Sequence, residues 1–261
     1  MIAKKGGYCM DHREYIRYIK GSANAVLLIH GIAGTPAHFR DLILVIPEDY
    51  SVYNILLDGH GADADAFSAT SMAKWKTQVS TTLTLLLTRH QSIIIAAHSM
   101  GTLFAIQEAI HHPDRVKALF LLAVPTRPWV RLRTMLASFR VVWGNLSSGD
   151  ILAQAMQADC SIRHTRKLWK YLAWLPRLWE LLAEIRAVRT ILPRLQTPTL
   201  LFQSRADELV SFRSYRDLAP LPTVRCTVLE SSGHFCYSES DLRLLQKSFK
   251  ELLHIFLSPL D

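Results

Sequence analysis

The 261-residue sequence has no apolar run that could cross a bilayer. Runs such as "ALFLLAVP" and "VLLI" fall far short of the roughly 20 residues that a spanning helix needs. The opening MIAKKGGYCMDHREY carries two lysines with no apolar stretch behind them, so no secretory signal is expected. Cysteine is scarce. Cys9, Cys160, Cys226 and Cys236 form no C-x-x-C pair and have no zinc-ligand spacing. Free thiols in a reducing cytoplasm are the expectation. No internal repeat or low-complexity tract is present, and a hydrophobic content of 49% excludes a disordered chain.

Acidic residues are scarce in one place. Between Pro125 and Leu195 twelve Lys or Arg face four Asp or Glu, an excess equal to the formal net charge of the whole chain, +8. The same stretch lacks a convincing strand and holds five of the six tryptophans. Pro125, Pro128, Pro193 and Pro198 mark its ends. It reads as a helical cap, residues 125–195, inserted into a core made of residues 1–124 and 196–261. Within it, Lys167–Val188 reads as two short helices broken at Pro176.

The core alternates strand and helix. Strands are predicted at Glu14–Ile19, Ala25–His30, Val52–Leu57, Ser92–His98, Lys117–Ala123, Pro198–Gln203 and Val224–Leu229. Most are continuous apolar runs, as in strands buried on both faces of a parallel sheet. Helices are predicted after Thr35-Pro36, from Met72 to His90, after Ser99, and from about Ser240-Asp241 to Phe256. The expected class is α/β: a mostly parallel sheet of about seven strands, with helices on both faces and the cap inserted.

The corner "AAHSMG" sets a serine where strand passes into helix. It lacks the first glycine of Gly-x-Ser-x-Gly and has Ala97 there, with Gly101 at the second position. A serine hydroxyl needs a base, an orienting acid and donors for a developing oxyanion. A tight strand-to-helix turn exposes the hydroxyl and aims helix-start N–H groups at the substrate. Ser99 as a plain helix cap is the competing reading. A histidine base is offered by His234 in "LESSGHFCY", past the last strand. His38, His90, His111 and His112 read as surface or helix-end residues. The strand end at "AVPTRP" has no acid, whereas "SRADELV" offers Asp207 and Glu208. Asp207 is preferred on placement, with Glu208 the alternative. The backbone N–H groups of Ile32, in "VLLIHGIAG", and Met100 are candidates for an oxyanion hole. His30 reads as a brace for that loop, and Asp58 with His60 as loop-ordering residues more than a metal pair.

The pieces "LLIHGIAGTPAHFRDL", "LLDGHGAD", "SMAKWKTQV", "AAHSMGTLFA", "PTLLFQSRADELVSFRS" and "LESSGHFCYSE" together resemble the α/β-hydrolases. They are most similar to the small bacterial carboxylesterase and monoacylglycerol-lipase-like branch. The resemblance covers most of the core, and the cap only by position and helical character. It implies an enzyme that cleaves a small-molecule ester; a cytoplasmic, bacterial setting with no cofactor and no metal is the accompanying expectation. It implies an acyl-enzyme on Ser99, with His234 as base and Asp207 as its orienting acid. A thioesterase or acyltransferase with the same triad, and a non-catalytic ligand-binding protein on this fold, are the rival readings. For the cap three readings stand: a packed cover with a solvated basic face, a lid, and a nucleic-acid or protein surface. As a lid, Trp129, Trp174, Trp179 and Val210 would line an acyl pocket, and its arginines would meet an anionic lipid or membrane surface. No nucleic-acid-binding motif supports the last.

Overall fold

A computed structural model describes residues 12–143, 147 and 149–257. The strands are β1 Tyr15–Arg17, β2 Asn24–Ile29, β3 Ser51–Ile55, β4 Ser92–His98, β5 Val116–Leu122, β6 Thr199–Ser204 and β7 Val224–Leu229. They form one sheet in the order β1-β3-β2-β4-β5-β6-β7. Only the β1–β3 pairing is antiparallel. All seven expected strands are present, their ends moved by up to two residues; the edge strand β1 is cut back at both ends.

Successive side chains of a strand point to opposite faces. Leu27 and Ile95 therefore pack with Trp75, Leu83 and Leu103 on one side of the sheet. Leu28 and Ile94 pack with Phe39, Leu245 and Phe249 on the other. Both faces are covered, which is why these strands lack polar alternation.

The core helices follow from local signals. Thr35 Oγ1 accepts the Ala37 N–H at 3.2 Å with Pro36 in the first turn, but only a 3-10 turn forms, Pro36–Phe39. It runs into one helical turn, α1 Arg40–Ile43. Asp63 caps α2, Ala64–Ala69. Ser71 caps α3, Met72–Arg89, whose buried stripe is Met72, Trp75, Val79, Leu83 and Leu86. α4 spans Met100–His111 and is buried almost all round.

Between β5 and β6 the chain is helical: α5 Leu132–Trp143, α6 Ile151–Asp159, α7 Trp169–Leu172 and α8 Leu175–Ile191. α5 and α6 share a small core of Ala137, Val141 and Ala153. The break between α7 and α8 falls at Ala173-Trp174, not at Pro176. Pro176 sits in the first turn of α8, where a missing N–H removes no helical bond. The C-terminal half of α8 packs on the core: Ile185 and Val188, with Leu192 just past the helix end, lie in the same cluster as Leu103. Glu184 of α8 bonds Gln107 of α4 and, at 3.0 Å, Lys76 of α3. Glu180 accepts the Met72 N–H at 2.9 Å, a donor that α3 itself leaves free. The chain closes with α9, Tyr215–Leu218, and α10, Glu239–Leu257.

Among the described residues no helix is long and apolar enough to cross a membrane. Cys160, Cys226 and Cys236 are free thiols, and Cys9 lies outside the described residues.

Candidate active site

The carboxyl ends of the strands gather the residues singled out above. Ser99 links β4 to α4 with φ 51° and ψ −125°. A positive φ is a strained conformation for a residue with a Cβ. Neighbouring bonds hold it: the Ser99 N–H donates to Leu122 O at 2.9 Å, and the Ser99 carbonyl accepts from Thr102 N at 3.0 Å. The Ser99 side chain caps no N–H of α4, so the helix-cap reading fails. Gly101 passes directly under β2. A Cβ there would lie 2.3 Å from Ile29 O and 2.7 Å from His30 O. Ala97, by contrast, is buried in the core beside Ile29 and Leu121.

His234 stands in the loop between β7 and α10. Its Nδ1 donates to Asp207 Oδ2 at 2.9 Å, which leaves Nε2 as its other nitrogen. Asp207 follows β6 and is fixed by the Leu209 and Val210 N–H groups, at 2.8 and 2.7 Å on Oδ1. Burial alone would lower the His234 pKa, but the Asp207 charge and hydrogen bond more than offset it and raise it above 6.5. Burial likewise opposes the Asp207 carboxylate, yet His234 and the two backbone donors hold its pKa below the ordinary value. Glu208 does something else. Its Oε2 accepts the His234 backbone N–H at 2.7 Å, and its carboxylate lies where a side chain on Gly233 would stand.

The loop after β2 approaches the serine so closely that a Cβ on Gly31 would be 2.8 Å from Ser99 Cβ. Among the described residues neither the Ile32 nor the Met100 N–H is spent on a protein acceptor. His30 braces this loop: Nδ1 donates to Gly31 O at 2.8 Å and Nε2 accepts the Leu57 N–H at 3.1 Å. His60 mirrors it, with Nε2 accepting the Ala33 N–H at 3.1 Å and Nδ1 facing Leu57 O and Asp58 O at 3.2 Å. Burial holds both imidazoles neutral, pushing His60 down to about 4 and His30 well below its ordinary value. Asp58 accepts from Thr70 Oγ1 at 2.7 Å. It therefore orders its loop.

No hydrogen bond joins Ser99 Oγ to His234 among the described residues. Bonds of this kind are often long before a ligand is bound. Between the two loops lies a cavity of about 560 Å³. Gly31, Ile32 and His234 line one end of it, and Phe67, Val141, Met156 and Trp174 line it further out. Its walls are almost wholly apolar. Of the four residues expected to line a pocket, only Trp174 does. Trp129 and Trp179 are 63% and 67% exposed and lie outside it. Val210 is buried behind the site, where its N–H serves Asp207.

The sequence reading missed a polar cluster beside the Asp207–His234 pair. His38 is not a surface residue. Its side chain is 3% exposed, stacked on His98 at 3.8 Å, with Nδ1 to Asp159 Oδ1 and Nε2 to Tyr237 Oη, each at 2.9 Å. His98 in turn lies 4.6 Å from the His234 ring. The signal was present, since His98 is the residue before Ser99, but nothing in the sequence joins position 38 to 98 and 159. His38, His98 and Asp159 are close enough to suggest a metal site. Both His38 nitrogens are already engaged in protein hydrogen bonds, so the cluster is built as a bonded network.

A strained serine on a β4–α4 corner, a β6 acid and a late-loop histidine, on a parallel sheet covered on both faces, define a hydrolase of the α/β class. Residues 26–245 match the alpha/beta hydrolase family, and the chain belongs to it. Over 98 residues it is 33% identical to the thermostable monoacylglycerol lipase of Bacillus sp. (strain H-257), a match spanning 37% of this chain and 39% of that protein. It is 25% identical over 247 residues to a proposed carbamate hydrolase, RutD, of Stutzerimonas stutzeri (strain A1501), covering 85% and 89% of the two chains. Among solved structures, the fold resembles the monoacylglycerol lipase of Paleococcus ferrophilus at TM-score 0.63 and 16% identity, covering 92% of this chain and 99% of that one.

Proposed function

We propose that this chain is a serine hydrolase of carboxylic esters with an apolar acyl group, working through an acyl-enzyme on Ser99. The carrying observation is the apolar cavity of about 560 Å³ that meets Gly31, Ile32 and His234 at one end. That volume lies within the roughly 300–1,000 Å³ range of small-molecule sites. In this reading Ser99 Oγ attacks the ester carbonyl and its proton passes to His234 Nε2. Asp207 fixes the tautomer that leaves Nε2 basic and stabilises the imidazolium. The oxyanion takes the free N–H groups of Ile32 and Met100, a type of contact worth about 2.7–4 kcal/mol for each donor. His234 then protonates the leaving alkoxide. Water, deprotonated by the same nitrogen, releases the acid and regenerates Ser99.

The similarity to a proposed carbamate hydrolase gives a second reading, because a carbamate carbonyl meets the same nucleophile and donors. The extent and apolarity of the cavity favour a longer acyl chain over a small carbamate. Thioester cleavage or acyl transfer would change only the leaving group or acceptor.

A fluorophosphonate should label the wild type and not Ser99→Ala. A folded wild type that stays unlabelled refutes the mechanism. On a ladder of p-nitrophenyl esters, kcat/KM should climb from acetyl to medium-chain acyl groups. Equal turnover along the ladder removes the case for an apolar acyl site.

A further inference from the structure

Most large apolar side chains left exposed among the described residues belong to the cap. They are not scattered. On α5, Leu132, Leu136, Phe139 and Trp143 form one helical stripe, opposite the face that buries Ala137 and Val141. Around α7 and the start of α8, Leu168, Trp169, Leu172, Leu175, Leu178 and Trp179 form a second. Four of the five cap tryptophans are exposed, which removes the reading that the aromatic face packs on the core. Soluble proteins rarely leave contiguous apolar surface of this kind without a partner.

Two further observations identify the partner. Phe139 from α5, and Leu168 and Leu178 from the second stripe, are exposed and also line the cavity. The cavity therefore opens through this apolar surface. The cations beside it are also in excess. Arg140 and Lys170 are paired with Asp150 and Asp65. Arg166 and Lys167, next to Leu168 and Trp169, are exposed and have no acidic partner among the described residues. Lys167 rests over the Trp169 ring, 6.0 Å from its centroid. Exposed tryptophan and leucine flanked by cations without an acidic partner is the chemistry of a surface that enters the headgroup layer of an anionic bilayer.

We infer that the cap is an interfacial anchor, which seats the α5 and α7–α8 stripes on an anionic lipid surface and turns the cavity mouth toward the acyl chains. Delivery of substrate from the bilayer rests on the ester-hydrolase reading. The docking itself does not.

The test is co-sedimentation of the full chain with phosphatidylcholine vesicles, with and without phosphatidylglycerol. Binding should require phosphatidylglycerol and weaken as salt rises. Arg166→Glu with Lys167→Glu should lower binding at least about tenfold, and Trp169→Ser with Trp179→Ser should do the same. None of these four residues lines the cavity, so turnover of a soluble short ester and cooperative melting should match wild type. Binding that ignores lipid charge, or survives both double variants, overturns the inference. So does equal or tighter binding to duplex DNA that the same variants abolish. If no ester is turned over by any form, the ester-hydrolase reading fails while the vesicle result still stands or falls alone.

Discussion

Gly101→Ala tests whether the serine corner is as tightly built as its geometry requires. The new methyl would lie 2.3 Å from Ile29 O and 2.7 Å from His30 O. Ordinary carbon–oxygen contact is about 3.3–3.6 Å, so the first approach is short by about 1 Å. Neither oxygen can easily retreat. Ile29 is paired to both β3 and β4. His30 is tied to Gly31 and Leu57 through its ring. The strain must therefore part α4 from the β2 loop, which separates Met100 from Ile32. Overpacking of this kind costs about 1–3 kcal/mol of stability. A displacement near 1 Å at a reacting centre costs about 100-fold in rate. The variant should melt cooperatively, several degrees below wild type, with kcat/KM on a soluble ester lowered about 100-fold. Ala97→Gly is the control. It restores the usual glycine, loses a buried methyl, and should cost about 1 kcal/mol of stability with little change in rate. A Gly101→Ala enzyme with near-wild-type kcat/KM would refute the steric account.

The base must be neutral, so kcat/KM should rise with pH through the His234 pKa, with a midpoint above 6.5. Asp207→Asn should move that midpoint down and cut kcat/KM at least about 1,000-fold; an unmoved midpoint would deny Asp207 its role. Glu208→Ala removes a carboxylate that holds the His234 N–H, and should cost about 1.5–3 kcal/mol in chemical denaturation. Its Asp207–His234 pair stays in place, so a loss of activity as deep as that of Asp207→Asn would contradict the division of labour. His60 is neutral in the fold and gains its proton more readily when unfolded. Stability attributable to it is full above pH 6.5 and is lost as pH falls toward about 4, by at most about 3 kcal/mol. His60→Gln should flatten that acid slope in denaturation curves taken between pH 4 and 7, and an unchanged slope would place the effect elsewhere. Amides of α5 and α6, which share only a small core, should exchange faster than those of α8, which is built into the main one. Equal protection would show that the cap opens as one unit with α8.

The strands were legible because burial on two faces leaves an apolar run that has no other use. Ser99, Asp207 and His234 were legible for a different reason. Each needs a loop directly after a strand, and strand ends can be read along the chain. His38 was misread because its environment is made by contacts from residues 98, 159 and 237, none of which is local. The tryptophans show the limit of periodicity. A stripe such as Leu132, Leu136, Phe139 and Trp143 reports that a helix has an apolar side. It does not report which side is covered, and here that side faces out. Trp174 differs because Ala64 O accepts its Nε1 at 3.2 Å and Phe67 packs on it at 4.6 Å, partners the sequence places more than a hundred residues away.

Long-range bonds also tie residues 125–195 to the core at two places. Its entry is fixed to the acid loop: the Trp129 and Arg131 N–H groups donate to Leu209 O at 2.7 Å and Glu208 O at 3.0 Å. At the end of α6 it is fixed to the serine side, where Asp159 holds His38 and, just beyond, the Ser161 N–H donates to Ala33 O at 3.0 Å. Ala33 itself sits at φ 55°, with its own N–H on His60. The residue next to Ile32 is thus clamped between the core and the cap. A rigid swing of the whole cap would break both attachments and release the loop that carries Ile32. Residues 125–195 are therefore part of what shapes the cavity, which reaches the surface where Phe139, Leu168 and Leu178 are exposed.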